Sequence, residues 1–213
     1  MKRLTVALAA LCVLSLFGCQ KAYYSAMESV GYDKREILSD RVENARESQQ
    51  EAKEQFASAL DQFRSVVAVD GGTLEEKYDT LNGEYEDCED RAAAVTKRID
   101  KVEDVAEALF KEWAEEIKQY SSDKLRTSSR AKLSATKKKY AVLVKAMRRA
   151  ESKMQPVLAA FKDQVLYLKH NLNAKAIAAL EGELSSIRTD VDTLIKEMDK
   201  SIAEADAFIK TLE

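Results

Sequence analysis

The residue types that carry most protein chemistry are scarce in this chain. It has one histidine, His170, and three cysteines, Cys12, Cys19 and Cys88. His170 has no second histidine to pair with and sits beside a turn pattern, so it reads as a cap or surface residue. Cys88 falls on an apolar stripe and reads as a buried, inert thiol. Residues 75–90 hold eight acids and one lysine. Spaced carboxylates can hold Ca²⁺, but Glu84, Glu86, Asp87, Glu89 and Asp90 follow a helical pattern without the ligand spacing of an EF-hand loop. Asp70-Gly71-Gly72 reads as a turn. No GxxxxGK[ST] occurs anywhere, which argues against Walker-type ATPase chemistry. The expectation is a protein with no catalytic, cofactor or metal site, and so not an enzyme.

Cys19 is different, because its neighbours give it a reaction. Lys2 and Arg3 precede an apolar run from Leu4 to Phe17. At about 14 residues the run is short for a ~30 Å hydrocarbon core, and the layout is that of a secretory signal. It ends in Leu16-Phe17-Gly18-Cys19, which resembles the bacterial lipobox: Leu at −3, a small residue at −1, then Cys. Phe17 departs from the usual small residue at −2. The alternative is an ordinary signal in which Cys19 is incidental. As a lipobox, residues 1–18 are removed and the Cys19 thiol takes the lipid. Each buried CH₂ adds about 0.8 kcal/mol, so several acyl chains anchor the protein durably. Gln20 after the cysteine, where Asp is absent, implies sorting to the outer membrane, facing the periplasm. Cleavage leaves 195 of the 213 residues, and losing Lys2 and Arg3 moves the formal charge from −3 to −5. Cys88 is then the only thiol left, which excludes an intramolecular disulfide.

A second feature with chemical potential is basic. Residues 124–139 contain Lys124, Arg126, Arg130, Lys132, Lys137, Lys138 and Lys139 and no acid. The plain reading is a solvated helix face, with Glu116 pairing across to Arg130. The sharper reading is contact with anionic headgroups or a protein partner, together with Trp113 and Tyr120. Cations at a helix N-terminus oppose the macrodipole, so this placement favours a compensating partner. Nucleic acid is not expected: the mature chain is acidic, no reading motif is present, and the address is extracytoplasmic.

The elements that must position these residues follow from composition and period. Gly and Pro total 7 of 213 residues, about 3% against roughly 12% in average usage. So few turn formers exclude sandwiches, barrels and wound α/β sheets. Apolar residues recur at alternating steps of three and four, from Leu38 to Val66 with polar Gln49, from Leu74 to Tyr120 with polar Glu116, from Leu133 to Leu168, and from Ile177 to Leu212 through Ser201. The spacing predicts helices over 34–69, 73–120, 123–170 and 174–212, joined by short turns. Thr73 with Glu76 forms a capping box, Ser122 caps the third helix, and Asn173 caps the fourth. Pro156 lies inside the third helix.

The fold class is therefore all-α: an elongated antiparallel four-helix coiled-coil bundle over 34–212. The alternative is a three-helix or open arrangement that completes its core by dimerising, as a homo-oligomer. Counting residues from each turn leaves the 110–135 hairpin between helices 2 and 3 projecting by roughly 18 Å. It projects at the pole where residues 19–33 tether the lipid. Tyr23, Met27 and Val30 have helical spacing, so residues 22–30 are either a short helix docked over Trp113, Ile117 and Tyr120, or a mobile tether.

Three stretches carry a family resemblance: Tyr23-Tyr24-Ser25-Ala26-Met27-Glu28, Lys101 to Phe110 (KVEDVAEALF) and Leu168-Lys169-His170-Asn171-Leu172-Asn173. The chain resembles an uncharacterised family of bacterial lipoproteins of unknown function, some of whose members carry a DNA-repair ATPase label. The resemblance covers most of the mature chain and implies an envelope location and no established activity. The functional expectation is a lipid-anchored structural or protein-interaction module with an envelope protein partner. The alternative is an accessory subunit of an envelope enzyme or transport complex.

Overall fold

A computed structural model describes residues 33–68, 73–171 and 174–212. They form four helices: α1 (Lys34–Ala68), α2 (Leu74–Gln119), α3 (Asp123–His170) and α4 (Ala174–Leu212). Local chemistry sets the described ends. The Asp33 carboxylate accepts from Glu36 N at 2.8 Å and opens α1. Thr73 Oγ1 accepts from Glu76 N at 3.1 Å while Thr73 N donates to the Glu76 carboxylate at 2.8 Å, completing the expected capping box. Ser122 caps α3 by accepting from Leu125 N. At the other end of α3, Asn171 N donates to Leu168 O at 3.1 Å. These bonds satisfy backbone groups that a helix end leaves without partners. Asn173, Asp70, Gly71 and Gly72 lie outside the described residues. α3 runs through Pro156. The ring removes one donor, so the carbonyl of Ser152, an exposed residue, loses its usual helical partner.

Helix α1 packs on α2 and α4, and α3 packs on α2 and α4, so the four close into a ring. The apolar stripes fill its centre. Leu38, Val42, Phe56, Cys88, Ile99, Leu143, Met147, Leu180, Leu194 and Met198 have no exposed surface. Phe161 of α3 reaches the diagonal helix, stacking with Phe63 and Phe56 of α1 at centroid distances of 5.6 and 6.4 Å. The core is thus completed within one chain. The polar residues on two stripes meet each other: Ser201 Oγ of α4 donates to Gln49 Oε1 of α1 at 2.8 Å, and both residues are fully buried. Gln49 Nε2 is buried without a protein partner among the described residues.

Cross-helix contacts give the relative levels. Lys34 bridges Glu112 at 2.8 Å, so α1 starts level with residue 112 of α2. Phe208 near the end of α4 meets the Tyr140 ring of α3 at 6.1 Å. α4 ends one turn later, at buried Leu212, and beyond it only α2 and α3 continue, as a two-helix hairpin roughly 15 Å long. Counting from the turns alone places the α1 start at 109, about one helical turn early. The stripe also shifts there. Leu109 and Trp113 are half-buried and Glu116 is exposed, while Phe110 and Ile117 are buried. A helix drifts by ~20° per heptad against a strict 3.5 period, and the seam turns with it.

Two outcomes follow. An added Cβ at Gly83 or Gly182 would meet nothing within 4 Å. Each Gly→Ala change should raise unfolding stability by about 0.5–1 kcal/mol, read by urea denaturation; a loss would show that the helix is not continuous there. Ser201→Ala should cost about 1–3 kcal/mol by leaving Gln49 buried and unpaired. Adding Gln49→Leu to it should recover most of that loss; a double variant no better than Ser201→Ala would contradict the pairing.

Candidate functional site

The helix lengths bring the sequence-selected residues together at one pole. Where α1 begins against α2, a groove of about 610 Å³ opens between the start of α1 and the hairpin. Lys34, Arg35, Trp113, Tyr120, Leu125 and Lys132 are among its walls. Trp113 stands in it half-buried, with its Nε1–H donated to Ser129 Oγ at 2.9 Å. The Arg35 guanidinium lies 6.0 Å from the Trp113 ring centroid, a cation–π distance. The indole is therefore held by all three helices that meet here. Tyr120 ends α2 and is 39% exposed. Its carbonyl accepts from Arg126 Nη2 at 2.7 Å, and Arg126 Nη1 also bridges Asp123 at 2.9 Å. This double contact ties the turn between the helices, although Arg126 Nε is buried without a partner among the described residues.

The other cations differ from Arg126. Lys137 sits over the Phe110 ring, 5.5 Å from its centroid, a cation–π distance. Lys124, Arg130, Lys132, Lys138 and Lys139 are exposed, and none joins an ion pair among the described residues. The expected Glu116–Arg130 pair is not formed; Glu116 instead lines the groove with Trp113. Arg130 lies on a different wall, beside Leu133, Lys137 and Lys138. Leu125 at the tip is 56% exposed. The pole thus combines unpaired positive charge, an exposed phenol and an exposed aliphatic side chain.

The remaining chemistry-bearing residues do not join it. Cys88 lies inside the bundle, where burial, with Glu84 and Asp87 nearby, pushes its thiol up to about 12. Burial likewise raises Tyr85 and Tyr140 to about 12. Glu84 is raised by burial, against the hydrogen bond donated by Gln55 at 2.8 Å. His170 is exposed in the last turn of α3. Among the described residues, no three His, Cys, Asp or Glu side chains converge as a metal site would require, and no helix is long and apolar enough to cross a membrane. Cys19 and the 22–30 segment lie outside the described residues.

Sequence reasoning missed Ser129 and Arg35 as the partners of Trp113, and Arg148 as a hub. Arg148 of α3 bridges Asp100 at 2.6 Å and Glu103 at 2.5 Å on α2, and Glu151 on its own helix. The Glu103 hydrogen bonds raise its pKa further. Only a repeated i, i+3 acid pattern on α2, Asp100 with Glu103, hinted at this. The burial of Cys88 is open to test by alkylation chemistry. In the folded protein at pH 8 the thiol should resist alkylation by iodoacetamide, and react once urea unfolds the chain, as read by mass spectrometry of its peptide. Ready labelling in the folded state would contradict its burial.

The comparisons with known proteins bear on the whole chain. No curated protein and no solved structure matches it. A family model described as "Protein of unknown function (DUF2959)" matches residues 23–212, which takes in all four helices and the segment from Tyr23 that leads into them. The chain therefore belongs to the DUF2959 family, whose function is unknown.

Proposed function

We propose that this protein is a lipid-anchored, periplasm-facing rod of the bacterial envelope, attached through Cys19 and acting by contact instead of catalysis. The observation that carries this reading is the polarity of the bundle. The described chain enters at Asp33, on the rim of the groove beside Trp113. That is the pole where the hairpin extends and the unpaired cations lie. The acids of residues 75–90 lie toward the opposite pole. At ~1.5 Å per residue, α2 separates the two by on the order of 70 Å.

Such a shape suits spacing. Long helices sharing one seam resist bending, and the anchor defines which end faces the lipid. The sides are covered with charged residues, many of them paired between neighbours, such as Lys53 with Asp199 at 2.8 Å and Arg91 with Glu51 at 2.5 Å. Exposed pairs contribute roughly 0–1 kcal/mol each. A surface of this kind is suited to meeting an envelope protein.

Lipidation is the first part to test. In bacteria fed radiolabelled palmitate, the wild-type chain should take up label and fractionate with the outer membrane, while Cys19→Ser should take up none. Label retained by Cys19→Ser, or a wild-type chain found unacylated in the cytosol, would overturn the reading.

A further inference from the structure

We propose that the α2–α3 hairpin itself binds an anionic lipid surface, with the unpaired cations of α3 among lipid phosphates and Tyr120 and Leu125 at the headgroup boundary. This deepens the anchored-rod reading and rests on it for the location of the bilayer. Of the five unpaired cations, Lys124, Arg130 and Lys132 lie on the hairpin, and Lys138 and Lys139 follow level with the end of α4, where Lys139 shares a groove with Glu204 and Phe208. Asp123 is the only acid from the start of α3 as far as Arg149, and Arg126 already engages it at 2.9 Å. Farther along α3 the pattern changes: Arg148 and Arg149 both have carboxylate partners, at 2.6 Å to Asp100 and 2.8 Å to Glu197.

The distribution of charge around α3 identifies the partner. At 100° per residue the five cations span roughly 200° of the helix circumference. A rigid protein face could meet only part of that arc. A fluid bilayer can gather anionic headgroups around all of it, with each well-placed cation contributing ~1 kcal/mol. Lys124, in the first turn of α3, also lies where the macrodipole is positive, and a phosphate there relieves both. Exposed Tyr120 is a residue type enriched at membrane interfaces, and exposed Leu125 sets an aliphatic side chain beside it.

Reach is sufficient. The 14 residues from Cys19 to Asp33 span up to ~45–50 Å when extended. The hairpin needs roughly 15 Å to pass the end of the body. The tether therefore lets the tip touch the bilayer that holds the lipid. A lipid anchor plus a basic surface would fix the direction of the rod, which an anchor on a loose tether would not.

The test uses residues 19–213 with Cys19→Ser, which keeps every residue of the core from Ile37 to Leu212 and carries no acyl chain. It is sedimented with vesicles of phosphatidylcholine alone, or with about 30% phosphatidylglycerol, in low salt and in ~0.5 M salt. The expected result is retention only on anionic vesicles and only in low salt. Arg130→Gln, Lys132→Gln, Lys138→Gln and Lys139→Gln together should weaken retention by about tenfold or more. Lys153→Gln, Lys162→Gln, Lys169→Gln and Lys196→Gln, an equal charge change elsewhere, should leave it within about twofold. Circular dichroism confirms that each variant is folded. Absent retention, equal retention on both vesicles, or an equal loss in the second set would overturn the proposal. Palmitate uptake reads the anchor separately. Labelling without vesicle binding removes this inference alone, and vesicle binding without labelling removes the anchor alone.

Discussion

One constraint shapes the molecule: four helices of unequal length must share a single apolar seam. Helices α1 and α4 have 35 and 39 residues, and α2 and α3 have 46 and 48. The two connections at one pole are short, from Ala68 to Leu74 and from His170 to Ala174. They hold those ends level. The extra length of α2 and α3 must then emerge at the opposite pole. The hairpin is not an appendage with its own fold. It is what remains of two helices after their shorter partners stop, which is why its packing reduces to a few side chains such as Ile117 and Leu133.

Electrostatics follow the same division. Along the body, several cations find acids on adjacent helices. Arg148 joins α2 and α3, Arg46 and Lys53 join α1 and α4, and Arg149 joins α3 to the nearly buried Glu197. The Lys200 hydrogen bond, with Arg149 alongside, holds the Glu197 carboxyl below its usual range. On the hairpin two carboxylates of α2 are already engaged, Glu112 by Lys34 at 2.8 Å and Glu115 by Lys118 at 2.7 Å, and the five α3 cations have no ion pair among the described residues. An uncompensated cluster at the end of a long body is costly unless solvent or another anion meets it. The absence of further helices there leaves Trp113 only partly enclosed and Tyr120 and Leu125 open.

Much of this was legible in residue spacing. The four stripes, the Thr73–Glu76 box and the Ser122 cap are local patterns, and local patterns survive in the folded chain because nothing tertiary opposes them. Gln49 and Ser201 were visible as polar residues on separate stripes. Their pairing was not, since it depends on how α1 and α4 align over 152 residues of separation. The rotation of the seam toward Phe110 and Ile117 was likewise hidden. It reflects accumulated helical drift and the loss of α1 and α4 as neighbours, neither of which a heptad count contains. Trp113 was selected for its type. That Ser129 and Arg35 would hold it required knowing which residue of α1 stands level with residue 113.

The claim on which all this turns is that α2 and α3 extend past the other two helices at one pole. Pulsed electron paramagnetic resonance measures it directly with two pairs of spin labels. One pair joins Asp79 near the far turn to Glu36 at the start of α1, and the other joins Asp79 to Thr127 on the hairpin. The second distance should exceed the first by roughly 10 Å. Equal distances would mean that the hairpin lies flush with the body, and the account would fail.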